Sequence, residues 1–236
     1  MNLILLHQED FTSENQAIID GRRAKHIRTV HRAQQGDTLT VGVKNGPMGT
    51  GLVKEITEST ISFETTLDIQ PPKPADCTLI LALPRPKTLK KALHAALTMG
   101  VKKVYFINSY RVEKSYWQTP LLSEEQLTDQ IELALEQSKD TIFPEILIRK
   151  RFRPFIEDEL AEIIQDTKAL VGHPVAEEEC PHQLNTPMTL IIGPEGGFIP
   201  YEIELLKEKG VTPVSMGSHV LRVEVALPAL LGKLLP

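Results

Sequence analysis

The stretch Ile69-Gln70-Pro71-Pro72-Lys73-Pro74 constrains this chain more than any other. Three prolines in four residues fix φ and remove backbone donors, so neither a helix nor a central strand can run through them. The apolar pattern differs on the two sides of this break. Before it, Leu39, Val41 and Val43 alternate with Thr38, Thr40 and Gly42, and Ile61, Phe63 and Thr65 alternate again. Asn45-Gly46-Pro47-Met48-Gly49 reads as a turn, with Gly51-Leu52-Val53 starting the return strand. Met1-Asn2-Leu3-Ile4-Leu5-Leu6-His7 reads as a first strand, because it has neither a basic n-region nor a small-residue cleavage site. One helix, roughly Arg22 to Arg32, interrupts these strands. Residues 1–70 are therefore expected to form a small β-barrel.

After the break, residues 77–83 are a near-continuous apolar run, and Leu89, Leu93, Ala96 and Leu97 are spaced for one helix face. A strand follows at 103–107. Ser123 stands where it can cap a helix that carries Leu127, Ile131 and Leu135. Short apolar runs recur near Ile146, at 169–171, at 190–192 and near Val214, with helical patterns at 155–164 and 202–209 between them. Strands alternating with helices imply a parallel sheet covered on both faces, so residues 76–236 are expected to be an α/β domain.

With 41% hydrophobic and 24% charged residues the chain is an ordinary globular sequence, not a disordered or collagen-like one. No apolar run approaches the ~18 residues of a membrane span, so no membrane partner is expected. Two cysteines, Cys77 and Cys180, lie far apart outside any CxxC; they suit a reducing cytoplasm and supply no metal site.

The net charge of −5 hides basic clusters. Residues 22–32 hold Arg22, Arg23, Lys25, Arg28 and Arg32 with His26 and His31 and no acid. Residues 85–114 hold Arg85, Lys87, Lys90, Lys91, Lys102, Lys103, Arg111 and Lys114 against Glu113. Arg149, Lys150, Arg151 and Arg153 form a third group. Solvated helix faces or polyanion binding explain any one cluster equally well; three together favour nucleic acid. The first cluster and Arg85 with Lys87 are the candidate RNA contacts.

Two segments carry candidate chemistry. Leu190-Ile191-Ile192-Gly193-Pro194-Glu195-Gly196-Gly197-Phe198 is a buried strand leaving through a glycine turn toward a helix, where a ligand can approach the backbone. It is neither GxGxxG nor a P-loop. Val214-Ser215-Met216-Gly217-Ser218-His219-Val220-Leu221-Arg222-Val223-Glu224 leaves another strand through a glycine and enters an apolar helix with Leu227, Leu230, Leu231 and Leu234 on one stripe. That stripe covers either the chain's own core or a second copy. Arg222 and Glu224 at the helix entry are, on residue type alone, as well read as a surface ion pair.

Gly-Pro-Glu-Gly-Gly-Phe followed about 18 residues later by Met-Gly-x-x-Val-Leu-Arg-x-Glu resembles the SPOUT superfamily of knotted methyltransferases, and within it the 16S ribosomal RNA uridine-N3 methyltransferases. The likeness extends to Ala82-Leu83-Pro84-Arg85-Pro86-Lys87, Gly100-Val101, Glu113-Lys114-Ser115 and Glu136-Gln137-Ser138, and, in the first domain, to His26-Ile27-Arg28-Thr29-Val30-His31-Arg32 with Gly36-Asp37. Met99, Lys139-Asp140, Ile199, His219, Val225 and Pro228 depart from the family pattern.

The resemblance implies a PUA-like RNA-binding β-barrel joined to an α/β SPOUT domain with a deep trefoil knot. It implies S-adenosyl-L-methionine as cofactor, 16S rRNA or the small ribosomal subunit as partner, a homodimer buried partly by the leucine stripe of the last helix, a cytoplasmic location and no metal. Gly193, Pro194, Glu195, Gly196, Gly197, Met216, Gly217 and Leu221 would hold the cofactor. Arg222 and Glu224 would be catalytic, with Glu195 behind them. N3 of uridine carries a proton near neutral pH, so the reaction needs a proton acceptor and a donor that stabilises the anion. The departures leave open a protein of this fold with altered or lost activity. An α/β enzyme binding another nucleotide at residues 193–197 is the remaining alternative.

Overall fold

In the computed structural model, which describes residues 2–236, the chain changes character at the proline-rich break. It divides into two units: residues up to Lys73 together with Glu132–Phe143, and Pro74–Ile131 together with Pro144–Pro236. The expected boundary near residues 70–76 is thus joined by a second one, because residues 132–143 belong with the first unit and not the second. Met1, read as part of the first strand, lies outside the described residues.

The first unit is built on β1 (Ile4–Leu6), β2 (Phe11–Ser13), β3 (Gln16–Ile19), β4 (Thr38–Val43), β5 (Met48–Ile56) and β6 (Ile61–Ile69). They form a six-stranded sheet in the order β1-β4-β5-β6-β3-β2, antiparallel except where β1 runs parallel to β4. The inward residues Leu6, Ile19, Val41, Val53, Ile61 and Phe63 make one buried cluster with Ala24 and Ile27 of the intervening helix. Strand β5 begins at Met48, inside the expected turn; the tight reversal runs through Lys44 and Asn45, which adopts φ 57°, and is closed by the Gly46 N–H on the Val43 carbonyl at 2.8 Å. The expected helix is α1 (Gly21–His26), which loosens into a π turn over Ile27–His31 and ends at Arg32 in the left-handed region. Residues 132–143 join this unit through backbone pairing: Asn2 and Leu3 N–H groups donate to the Glu136 carbonyl at 2.9 and 3.0 Å, and Asn45 N–H donates to the Thr141 carbonyl at 2.8 Å.

The second unit contains β7 (Cys77–Ala82), α2 (Pro86–Thr98), β8 (Lys103–Ile107), the first part of α3 (Glu124–Ser138) and β9 (Glu145–Arg149). A helical run follows as α4 (Phe152–Pro154), a π turn and α5 (Leu160–Ile163). Then come β10 (Lys168–Gly172), β11 (Met188–Ile192), α6 (Pro200–Glu208), β12 (Thr212–Val214) and α7 (Val223–Leu234). The six strands are all parallel, in the order β12-β10-β11-β7-β8-β9. Every residue of β11 is buried, as expected of a strand covered on both faces. Ser123 caps α3 as its position implies: the Gln126 N–H reaches its Oγ at 3.3 Å. Burial pushes the Cys77 thiol up to about 12, so it is a packing residue and not a nucleophile.

The stripe Leu227, Leu230, Leu231 and Leu234 is fully buried within this unit, where α7 packs on α2. The expectation that these residues bury a dimer interface is therefore corrected: they cover the chain's own core. Helix α7 runs through Pro228, whose ring nitrogen cannot donate to the carbonyl one turn back.

Candidate active site

The carboxyl ends of three adjacent strands open into one cleft. Gly172 ends β10, Ile192 ends β11 and Val214 ends β12; all three line it together with the loops that follow. In open α/β sheets ligands bind at such strand ends, beside the point where the strand order reverses. The first loop contributes Gly193, Pro194, Glu195, Gly196, Gly197 and Phe198, and the second contributes Met216, His219, Val220 and Leu221. Both stretches singled out in the sequence thus face one cavity. Gly217 does not line it; with φ 100° it shapes the turn between Met216 and Leu221.

The first loop is tight for a steric reason. A Cβ on Gly193 would stand 3.1 Å from the Phe198 ring and 3.3 Å from the Phe198 nitrogen. Phe198 is itself buried against Phe152, ring centroids 6.0 Å apart. Gly197 has φ 70° and donates to the Pro194 carbonyl at 2.8 Å, closing the turn. Ile199 offers no side-chain cap to α6, but the buried Glu202 supplies one: its Oε2 accepts from the Ile199 N–H at 3.0 Å. Its other oxygen accepts from the Tyr110 N–H at 2.8 Å. Arg111 donates to the Gly196 carbonyl. Glu195 accepts from the Arg85 N–H at 3.1 Å, and Arg85 Nε donates to the Tyr116 hydroxyl at 3.2 Å.

Arg222 is exposed and stands at the N-cap of α7, one residue beyond the pocket-lining Leu221; its side chain makes no bond to other described residues. Glu224 lies already within the helix and is drawn 3.9 Å from Lys91 Nζ on α2. The helix has begun at Val223, so Arg222 and Glu224 do not share a face.

The sequence reading missed Gly172, His173 and Pro174, which line the cleft from the end of β10. Their signal was a Gly-His-Pro turn after a buried strand, the same grammar as Gly193-Pro194. Burial, helped by the Lys207 charge, holds the His173 pKa below its ordinary value, so its ring is neutral near pH 7.

A profile of the RNA methyltransferase domain matches residues 71–235. The chain belongs to that family. The ribosomal RNA small subunit methyltransferase E of Treponema pallidum is 24% identical over 242 residues, 96% of this chain and 87% of the relative. That of Rickettsia conorii is 28% identical over 211 residues, 85% of this chain and 81% of the relative. The crystal structure of the Neisseria gonorrhoeae ribosomal RNA small subunit methyltransferase E, bound to S-adenosyl methionine, shares the fold with a TM-score of 0.72 at 20% identity, covering 98% of this chain and 96% of that one.

The basic clusters of this RNA methyltransferase divide on inspection. Arg22 donates to Glu136 at 2.7 Å and to Glu132 at 3.1 Å, and Arg23 is bidentate on Asp10 while also reaching the Leu5 carbonyl. Both guanidinium groups are paired within the first unit; Arg23 is half-buried, whereas Arg22 remains exposed despite its two carboxylate partners. Lys25 and Arg32 remain exposed, and Arg28 lies 3.5 Å from the Thr57 carbonyl. In the third cluster Arg149 pairs with Glu159 and Arg153 with Glu157, both at 2.7 Å, leaving Lys150 and Arg151 exposed. Arg85 and Lys87 are exposed at the start of α2.

Proposed function

We propose that this chain transfers a methyl group from S-adenosyl-L-methionine to N3 of a uridine in 16S ribosomal RNA. The observation that carries the reading is the meeting of the two glycine-bearing loops in one cleft with the unpaired Arg222 at its edge, in a chain of the RNA methyltransferase family. The cleft suits the cofactor. Met216, Leu221 and Leu230 give an apolar lining for an adenine ring, as small-molecule sites commonly have. The cofactor supplies an electrophilic methyl group when bound. Pro194, Gly196 and Gly197 present backbone to it, and Glu195, tied to Arg85, fixes that loop. Arg222 stays protonated and cannot take the N3 proton. Its role is to hold a uracil oxygen and stabilise the N3 anion. Glu224, turned toward Lys91, orients this first helical turn, and the proton leaves to Glu195 or to water.

The remaining family features belong to the same proposal: a SPOUT domain knotted at its C-terminal end, a PUA-like first domain gripping RNA through Lys25, Arg28 and Arg32, and a homodimer. In support of the knot, residues of the loop after β10 bond across to later chain: Cys180 N–H to the Ser215 carbonyl, and Gln183 and Leu184 N–H groups to Lys233 and Leu234 at 2.7–2.8 Å. With the leucine stripe buried, a dimer would use the exposed Val220 and Val225; a monomer by light scattering at micromolar concentration would remove that part.

Mapping of 16S rRNA in cells with and without this protein tests the function: one uridine should lose its N3 methyl group in the deletion, and an unchanged map would end the proposal. Gly193→Val should weaken S-adenosylmethionine binding about tenfold or more, because the new methyl groups must displace the buried Phe198 ring, an overpacking on the scale of ~1–3 kcal/mol. Calorimetry on the folded variant measures it; unchanged affinity would remove the cofactor from this loop.

A further inference from the structure

We propose that a strip of aromatic and cationic side chains at the carboxyl ends of β8 and β9 stacks nucleobases of the RNA substrate, with Tyr110 the stacking residue beside the cleft. This rests on the reading of the chain as an RNA methyltransferase and adds Tyr110, Tyr116 and Trp117, aromatic residues that neither the glycine loops nor the basic clusters point to.

Tyr110 is 78% exposed. Its ring makes no aromatic or cation contact among the described residues, so the fold gives it no packing task. Its backbone is nevertheless fixed. The Tyr110 N–H is bound by Glu202, the carboxylate that also caps α6, and the next residue, Arg111, binds the Gly196 carbonyl in the cofactor loop. A Cβ on Gly196 would come within 3.0 Å of the Arg111 side chain, so the two segments are in direct contact. The backbone that carries the exposed ring is thus tied by two polar links to the wall of the cleft where the methyl group would be delivered.

The surroundings match the same ligand. Arg85 bonds the Tyr116 hydroxyl at 3.2 Å. The Trp117 indole is anchored by an Nε1–H bond to Asn108 at 3.0 Å, with Lys150 Nζ 5.9 Å from its ring. Aromatic faces interleaved with exposed cations are the chemistry that binds unpaired RNA: rings take the bases and cations take the phosphates. A base whose N3 is to be methylated must also be unpaired, since N3 lies on its pairing edge.

The test is steady-state methyl transfer to small ribosomal subunits lacking the mark, with S-adenosylmethionine affinity measured separately. Tyr110→Ala should raise KM for the subunit about tenfold or more, the scale of one lost base stack, and leave cofactor affinity unchanged. Tyr110→Phe, which keeps the π face, should restore the wild-type KM. An unchanged KM and kcat in Tyr110→Ala, with the wild type active, would overturn the stacking role and leave the methyltransferase reading standing. A KM defect that Tyr110→Phe does not relieve would overturn it too, by assigning the effect to the hydroxyl. A wild-type protein that methylates no RNA would overturn the functional reading and the strip with it.

Discussion

Arg222→Ala is expected to slow methyl transfer by about 10²-fold or more, the scale of removing one preorganised donor to a developing anion. The expectation follows from position. Arg222 is fixed by the start of α7, follows Leu221 in the cleft wall, and has no partner among the described residues that would neutralise it or draw it away. Because the side chain stands outside the cavity lining, cofactor affinity should change little. Single-turnover kinetics at saturating cofactor and RNA separate the two effects. Glu224→Gln should have the smaller consequence, since Glu224 points toward Lys91, 3.9 Å away. A near wild-type rate in Arg222→Ala would end its assignment.

Arg22→Ala is expected to destabilise the first unit by about 2–3 kcal/mol, below the ~3–5 kcal/mol of a fully buried broken pair because Arg22 is itself partly screened by solvent. Glu136 has only 1% of its side chain exposed and Glu132 has 11%, and both lose a cation. The pH dependence has a definite sign. Burial pushes the Glu136 carboxyl up, with Arg22 opposing; at Glu132 burial is outweighed by His7 and Arg22, which hold it below its ordinary value of 4.5. Removing Arg22 raises both, so the folded variant holds protons more tightly than the wild type. The stability gap is therefore full near neutral pH and narrows as pH falls through the carboxylate range, where protonated carboxyls no longer need the cation. Urea unfolding at two pH values measures this. A gap that is absent at neutral pH, combined with weaker RNA binding, would return Arg22 to the RNA surface.

The contrast between Arg22 and Arg222 shows what a sequence can and cannot convey. A charge run states sign and density but not partners, and the partners of Arg22 lie 110 and 114 residues away. The same distance hid the transfer of residues 132–143 to the first unit, since the pairing of Asn2 and Leu3 with Glu136 leaves no local pattern. The proline break and the buried parallel strands were legible because proline chemistry and apolar runs are local properties. So were the two glycine loops, each following a strand directly. The leucine stripe of α7 announced a covered face without naming the cover, which proved to be α2. Tyr110 escaped notice and Arg111 read only as one charge of a cluster, because their significance lies in their bonds to Glu202 and Gly196, some 85 to 92 residues on.

The most direct test of the account is methyl transfer in vitro from labelled S-adenosylmethionine to small ribosomal subunits lacking the modification, followed by identification of the labelled nucleoside. The account predicts one label per subunit, on N3 of a single uridine of 16S rRNA, lost in Arg222→Ala. Label on a different atom or base, or none from a folded wild-type protein that binds the cofactor, would contradict it.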